Sequence, residues 1–593
     1  MIPRLIRKPW YLPELQGFQA KAFNIKTFNN AARNFDRSFL NELSEEVWNR
    51  QIDSFLAALT DDVLLRALQN QPREIQHLSA SKILETLKMR RRYFKEDMLT
   101  YYRFLSEQVT VAGTNDREQF TVSKKDDGAV HVVVNKIDKQ NAISSRIYDR
   151  VFDPKVTEEL QLYGLNDDDR FIIEGGASPI KIRIIGGTGR DEFINTGSGG
   201  KVLIYDASFE ENKVHGNDGL QLKISKDPQV NRYDRLNFKY NYINPGLSLA
   251  YNIDDGLYVG AGIEALRRGF RKEPYGQRHL LVANRALRTS SYNFRYEGDF
   301  IKALGRYDLL VRTDIAAPIN VTNFFGLGNR TSFNKNHPDG EQYYRTRYDI
   351  VNASLLLRKQ LQSWMRVNYG PTYQYFHLER ERNTGDYVSN PSVKILDSAN
   401  LYRAKSLAGV LAFVDIDSRN NQIVPTRGLL LNAGIKSLYG LNQFSNNVTR
   451  LQSDMRIFMS VFSKPRLVLG VRLGVAHNIG TFDIPQAAYL SGVDNLRGYR
   501  RNRFGGRTSF YNNTELRFRV ADFSTYLFPG SFGVHAFHDV GRVWMDNDPS
   551  RTWHSGWGGG VWLAPVRRFV VTASVARSRE EKALPLVTFG FQF

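Results

Sequence analysis

From about residue 235 to its end the chain repeats one pattern, runs of roughly ten residues in which apolar and polar side chains alternate strictly, the length a tilted membrane-crossing strand needs. In RLVLGVRLGVAH, Leu467, Leu469, Val471, Leu473 and Val475 share one face while Gly470, Arg472 and Gly474 share the other. In FYNNTELRFRV, Phe510, Leu516, Phe518 and Val520 oppose Glu515, Arg517 and Arg519. A period of two fixes these runs as strands with two unlike faces. It does not by itself separate a soluble sandwich from a barrel in a bilayer, because both alternate.

Three features favour the barrel. The polar face carries Arg472, Glu515, Arg517, Arg519, His535 and Asp539, the content of a wet lumen. Short turns such as SKP (Ser463 to Pro465) alternate with long polar excursions at 318–342 and 378–400. The sequence closes on LPLVTFGFQF, where alternation puts Val587, Phe589, Phe591 and Phe593 on one face. Counting alternating segments from Gly246 predicts about 16 strands, an even number as bacterial barrels have, with eleven before the stretch LRGYRRNRFGG (Leu496 to Gly506) and five after it.

Composition agrees with that class. The chain has 29 Tyr and 37 Phe, 12% aromatic residues in all, as expected where rings line membrane interfaces. Lys and Arg exceed Asp and Glu by 81 to 61, which suits an anionic surface; nucleic acid is not expected as a partner. Cysteine is absent, which removes disulfides, thiolate metal sites and cysteine nucleophiles. No run reaches the ~20 apolar residues of a membrane-spanning helix. The opening MIPRLIRKPWYLPELQGFQ has no apolar core of a secretory signal, so the chain is expected to be the C-terminal part of a longer precursor, or its start to lie further upstream.

Upstream of the barrel, residues 1–35 read as an extended linker and 36–108 as a helical bundle. Trp48, Ile52, Phe55, Leu56 and Leu59 form one helical stripe, Thr60 is placed to cap a second helix that Pro72 ends, and a third would bury Leu87, Phe94, Met98, Tyr101 and Leu105. The basic run KMRRRYFK (Lys88 to Lys95) is either a solvated helix face or a contact for anionic headgroups, the former favoured. Residues 109–234 turn to short β runs. Within them LYGLNDDDRF and IIGGTGRDEF look like two turns of one irregular repeat, with Asp167, Asp168, Asp169 and Asp191 expected as solvated turn residues rather than calcium ligands. GSGGKV (Gly197 to Val202) lacks the spacing of a phosphate loop.

The motifs carry a family resemblance. VDIDSRNNQIVPTRG (Val414 to Gly428) resembles the D-x-R-D-N-x-x-x-P-x-x-G strand-turn-strand of the BamA/TamA superfamily, the bacterial surface antigen type, at Asp415, Asp417, Arg419, Pro425 and Gly428. SGVDNLRGYR (Ser491 to Arg500) is similar to that superfamily's sixth extracellular loop, which folds back into the barrel, and VHAFHDVGRVW (Val534 to Trp544) to its F-x-D-x-G strand. Asn420 stands where a second Asp is usual, and Ser-Gly where Gly-Gly is. The resemblance implies that Arg497 pairs with Asp539 inside the lumen, that Gly498 allows the close turn, and that Tyr499 packs on the inner wall. The N-terminal part weakly resembles the middle of longer envelope proteins in which a phosphoesterase-like module precedes such a barrel; the β-α-α-β-β order of a POTRA module is not found there.

The fold expected is thus mainly β, a transmembrane barrel behind a helical region and a short irregular β domain. Its expected location is the bacterial outer membrane, with the N-terminal region in the periplasm. The function implied is that of an insertase or transporter acting without covalent chemistry on unfolded outer-membrane or secreted proteins, or on lipids, with outer-membrane lipids around it and accessory periplasmic or lipoprotein partners. The alternative is a passive anchor for an N-terminal module. No enzyme is expected: there is no G-x-S-x-G or H-E-x-x-H, and His535 and His538 fall on opposite faces of one strand, so neither catalytic residues, a metal nor a cofactor is assigned.

Overall fold

The computed structural model describes residues 18–198, 202–216, 218–252, 256–393, 395–460, 465–492, 494–525, 529–566 and 568–593. Most of the opening segment, residues 199–201 of GSGGKV and Ser463 and Lys464 of the SKP turn lie outside them. The chain divides into two compact units, residues 1–239 and 240–593.

In the first unit the helices start earlier than the pattern predicts, with Ile25–Phe28 and Arg33–Phe39 inside or overlapping the segment read as extended. Ser44 caps Glu45–Ala58 and Thr60 caps Asp61–Gln69, each side-chain oxygen accepting from a backbone N–H three residues on. Pro72 does more than end a helix: it stands at the N-cap of one 34-residue helix, Arg73–Ser106. Tyr101 and Leu105 of that helix are buried, and Phe94 stacks on Phe55. Several charges of the basic run are already paired, Lys88 and Arg91 with Asp61 and Lys95 with Asp53.

The β part of this unit winds between two sheets. Strands Gln108–Ala112, Glu159–Asn166, Lys181–Thr188, Val202–Ala207 and Leu220–Ser225 form a parallel sheet. A second sheet places Glu118–Lys124, Arg170–Gly175, Glu192–Asn195 and Lys213–His215 in parallel, with Val130–Ile137 and Ile143–Phe152 antiparallel at its edge. Successive coils stack like residues, so Leu162, Ile184 and Ile204 are neighbours, and Phe120, Phe171 and Phe193 form a column of stacked rings.

The repeat seen in the sequence is this coil, but two of its aspartates are not solvated. Asp169 and Asp191 are 1% and 0% exposed, because each turns inward to accept the backbone N–H of the coil before it: Glu118 N donates to Asp169 Oδ1 at 2.8 Å and Asp169 N to Asp191 Oδ1 at 2.9 Å. Their second oxygens, with that of Asp206, are buried without a hydrogen-bond partner. Burial pushes Asp169 up to about 9 and Asp191 to about 7, neighbouring carboxylates adding to the effect.

The second unit is a sixteen-stranded antiparallel barrel sheet running from Tyr242–Asn252 to Leu584–Phe589, with all neighbours consecutive in the barrel. Eleven of its strands precede residue 491 and five follow residue 506. Cross-strand pairs keep one face lumenal throughout: Gly470 lies opposite Glu515, Glu515 opposite Phe537, and Phe537 opposite Gly558. The other face leaves Leu247, Leu281, Leu355, Val475, Leu516 and Val587 exposed, as a bilayer-facing surface requires. Among the described residues no helix is long and apolar enough to cross a membrane.

Long connections gather at one end of the barrel, spanning 324–344, 378–404 and 481–507, while the other end has short ones such as 270–271, 305–306 and 363–364. The long ones pack on one another through Phe324, Leu378, Val388, Leu401 and Ile484. Lys405 is fully buried there between Asp397, at 2.8 Å, and Asp483.

Candidate functional site: the lumen loop and the sheet edges

The loop from Ser491 to Gly506 lies inside the barrel. A short ladder, Ala488–Leu490 against Phe504–Gly506, closes its base. Leu490, Leu496, Tyr499 and Phe504 then bury themselves against Tyr511 and Val543 of the wall. Arg472 Nη1 donates to Asp494 O at 2.6 Å and Asn513 Nδ2 to Asn495 O at 2.8 Å, so the wall strands hold the loop backbone directly.

At the tip sits Arg497, 4% exposed. Its Nε and Nη2 donate to the two oxygens of Asp539 at 2.8 and 2.7 Å, a bidentate pair, and its backbone N–H donates to Asp539 Oδ2 at 2.9 Å. Nη1 donates to Glu515 at 2.5 Å, and the guanidinium lies 3.5 Å from the centroid of the Phe537 ring. Glu515 also receives Arg517 Nε at 2.7 Å. The four charges Arg497, Asp539, Glu515 and Arg517 thus compensate one another where water is excluded; without partners each would be costly to bury.

Gly498 has φ +90°, and a Cβ there would stand 2.8 Å from Arg577 O. Tyr499 donates to Ser555 O at 3.3 Å and packs on Phe504 and His554. One contributor escapes the motif. Gly556, opposite Asp539, has no side chain to collide with the loop: a Cβ would lie 1.8 Å from Arg497 O. Phe537, the aromatic residue of the F-x-D-x-G strand, supplies the ring beneath the guanidinium. The run SGWGGGVW, with Gly556, Gly558 and Gly560 alternating on the lumenal face, is the sequence signal for this vacated wall.

Arg500, Arg503 and the neighbouring Arg507 take partners other than Glu515. Arg500 pairs with Glu581 and Glu341, Arg503 (1% exposed) with Glu580 at 2.7 Å and Thr331 Oγ1, and Arg507 with Asp546. Arg519, the last residue before a register shift in its strand, pairs at 3.5 Å with Asp522 near the short-turn end.

The terminal aromatics divide, contrary to simple alternation. Val587 and Phe589 face outward and are exposed, whereas Phe591 packs edge-on against Trp562 and Phe593 is 4% exposed against Phe458. Gly590, with φ +97°, turns the chain between them, and Arg517 reaches the inturned segment with Nη2 to Phe593 O at 2.5 Å. In the turn motif Asp415 accepts Asn368 and Asn432 side chains in the lumen, Arg419 forks onto Asp417 at 2.9 and 2.8 Å, and Gly428 takes φ +112°. Asn420, in place of the usual aspartate, still caps the turn by accepting from the N–H groups of Thr426 and Arg427 at 3.1 Å. Pro425 lies within this turn.

A sixteen-strand barrel with an inward loop clamped by an Arg–Asp pair defines a class of membrane barrel built around an internal brace. The family model for the Omp85 superfamily domain matches residues 185–593, and the chain belongs to that superfamily. Its members are outer-membrane β-barrels that insert or translocate proteins and have no enzymatic activity of their own. Among solved structures, BamA from Haemophilus ducreyi lacking POTRA domains 1–3 is 15% identical, with a TM-score of 0.43 over 59% of this chain and 70% of that one. CdiB from Escherichia coli is 12% identical, TM-score 0.39, over 58% and 61%; CdiB from Acinetobacter baumannii is 14% identical, TM-score 0.36, over 59% and 59%. No curated protein matches the chain.

Proposed function

We propose that this barrel assists the insertion or translocation of polypeptides at the bacterial outer membrane by lending a sheet edge to an incoming strand, with residues 1–239 on the periplasmic side and accessory proteins delivering the substrate. The observation that carries this is that Tyr242–Asn252 and Leu584–Phe589 stand as the two ends of the described sheet, each with one unshared row of backbone donors and acceptors. Gly590 bends the chain off the last strand just where a neighbour would extend the ladder. An incoming strand gains main-chain hydrogen bonds there, and the bilayer supplies its apolar face with a solvent. The lumen loop keeps the wall near the last strands rigid while this occurs, and the Arg497–Asp539 clamp holds the loop.

Depletion of the protein tests this reading. The amounts of other outer-membrane proteins, or of a secreted partner, should fall in quantitative proteomics of the envelope. Unchanged amounts would leave only a passive anchor and refute the proposal.

A further inference from the structure

At the short-turn end the barrel carries a partly open cavity of about 140 Å³. Its charged lining residues are Arg466, Arg517 and Arg519, and no carboxylate is among the residues that line it. Val424, Pro425 and Trp562 supply an apolar wall. The turn motif contributes Asn421, whose side-chain oxygen is already taken by the N–H groups of Ile423 and Val424 at 2.8 Å, so that its amide NH₂ is what remains to offer.

Counter-charge is unevenly distributed among these cations. Arg517 gives Nε to Glu515, which it shares with Arg497, and Nη2 to Phe593 O; its Nη1 is buried with no acceptor. Arg519 pairs with Asp522 at 3.5 Å, and that carboxylate also accepts Ser531 Oγ at 2.5 Å. The Arg466 side chain, exposed at the rim, makes no hydrogen bond or ion pair among the described residues. A guanidinium nitrogen buried without an acceptor, as Arg517 Nη1 is, is costly, and guanidinium groups match the planar or tetrahedral oxygens of carboxylate and phosphate.

We propose that this cavity is an oxyanion-binding site, and that its occupant is an acidic side chain beside an aromatic residue in a polypeptide entering the lumen. The oxyanion would face Arg466 and Arg519, and the adjoining ring would lie against Trp562 and Pro425. The same chemistry could be met by free phosphate, so the two sources must be told apart. The peptide source rests on the proposed function; the oxyanion site does not.

Calorimetric titration of the full chain in detergent micelles, at constant ionic strength set with chloride, tests both. Inorganic phosphate is expected to bind saturably, and Arg466→Gln, at an exposed position that leaves the fold intact, to weaken it about tenfold, the loss of one charge-assisted contact. The capped tripeptide Phe-Asp-Phe should compete with phosphate, and its Phe-Asn-Phe counterpart should not. Phosphate binding without peptide competition overturns the peptide source and leaves a site for a free anion. Absence of saturable phosphate binding, or equal binding by Arg466→Gln, overturns the site itself. Either failure is separable from a failed depletion assay, which concerns the sheet edges alone.

Discussion

Replacing Arg497 by methionine removes the one group that neutralises Asp539. That carboxylate is 0% exposed, and besides the two guanidinium bonds it accepts only the Arg497 backbone N–H among its described hydrogen bonds. Glu515 fares better, since Arg517 remains at 2.7 Å. The loss is therefore that of one broken buried pair, about 3–5 kcal/mol, a change of roughly a hundredfold or more in the folding equilibrium. Guanidinium-induced unfolding of the barrel in micelles, followed by tryptophan fluorescence, measures it, and trypsin cleavage after Arg500 or Arg501 reports whether the loop leaves its seat. Exchanging the two charges, Arg497→Asp with Asp539→Arg, is a poor rescue here, because the carboxylate at 497 would face Glu515. The informative double variant is Arg497→Met with Asp539→Leu, which should cost less than the two single changes added, by at least about 1 kcal/mol. A cost under about 1 kcal/mol for Arg497→Met, or strict additivity, would refute the view that the pair is buried and coupled.

Three further outcomes follow from the geometry. Folded Asp169 and Asp191 hold protons to about 9 and 7, above the unfolded carboxylate range, so the folded state binds more protons between those limits and the first unit loses stability as pH rises from about 5 to 9, up to tenfold per proton per pH unit. Amide hydrogen exchange of residues 159–207 in the full chain should accelerate at high pH beyond the intrinsic rate, with Asp191→Asn flattening the slope; a flat wild-type profile would contradict this. Gly498→Ala should cost about 1–2 kcal/mol, the left-handed backbone penalty, in the same unfolding assay. Gly556→Val should unseat the loop outright, because its side chain would occupy the space of Arg497 O, and trypsin should then cut the loop as readily as in Arg497→Met.

Where a residue's environment repeats along the chain, its place was legible in the sequence. Alternation gave the strands, their faces and the split of eleven and five around the loop, because each barrel strand sees lipid on one side and lumen on the other over its whole length. The 22-residue spacing of Asp169 and Asp191 was legible as a repeat but not as an inward ladder, since an aspartate at a turn has the same sequence signature whether it caps solvent or the next coil's backbone. Phe591 and Phe593 were misplaced for a related reason: one left-handed glycine cancels the period of two, and nothing in LPLVTFGFQF says that Gly590 adopts it. Arg503 and Gly556 depend on residues 77 and 59 positions away, Glu580 and Arg497, and pairings at that range leave no local pattern.

The arginines of the lumen loop also decide what the loop travels with. Arg500 and Arg503 grip Glu581 and Glu580, which sit in the connection between the last two strands, and Gly498 rests against the backbone of Arg577 in the strand before it. On the other flank Arg500, Asn502 and Arg503 reach Glu341, Thr322 and Thr331, at the fifth strand and the connection that follows it. The loop is thus a crossbar moored to the closing hairpin at one side and to the fifth strand and the connection after it at the other. If the proposed templating requires the edges to part, these moorings tie the crossbar to the C-terminal wall, and the motion would fall to the first hairpins.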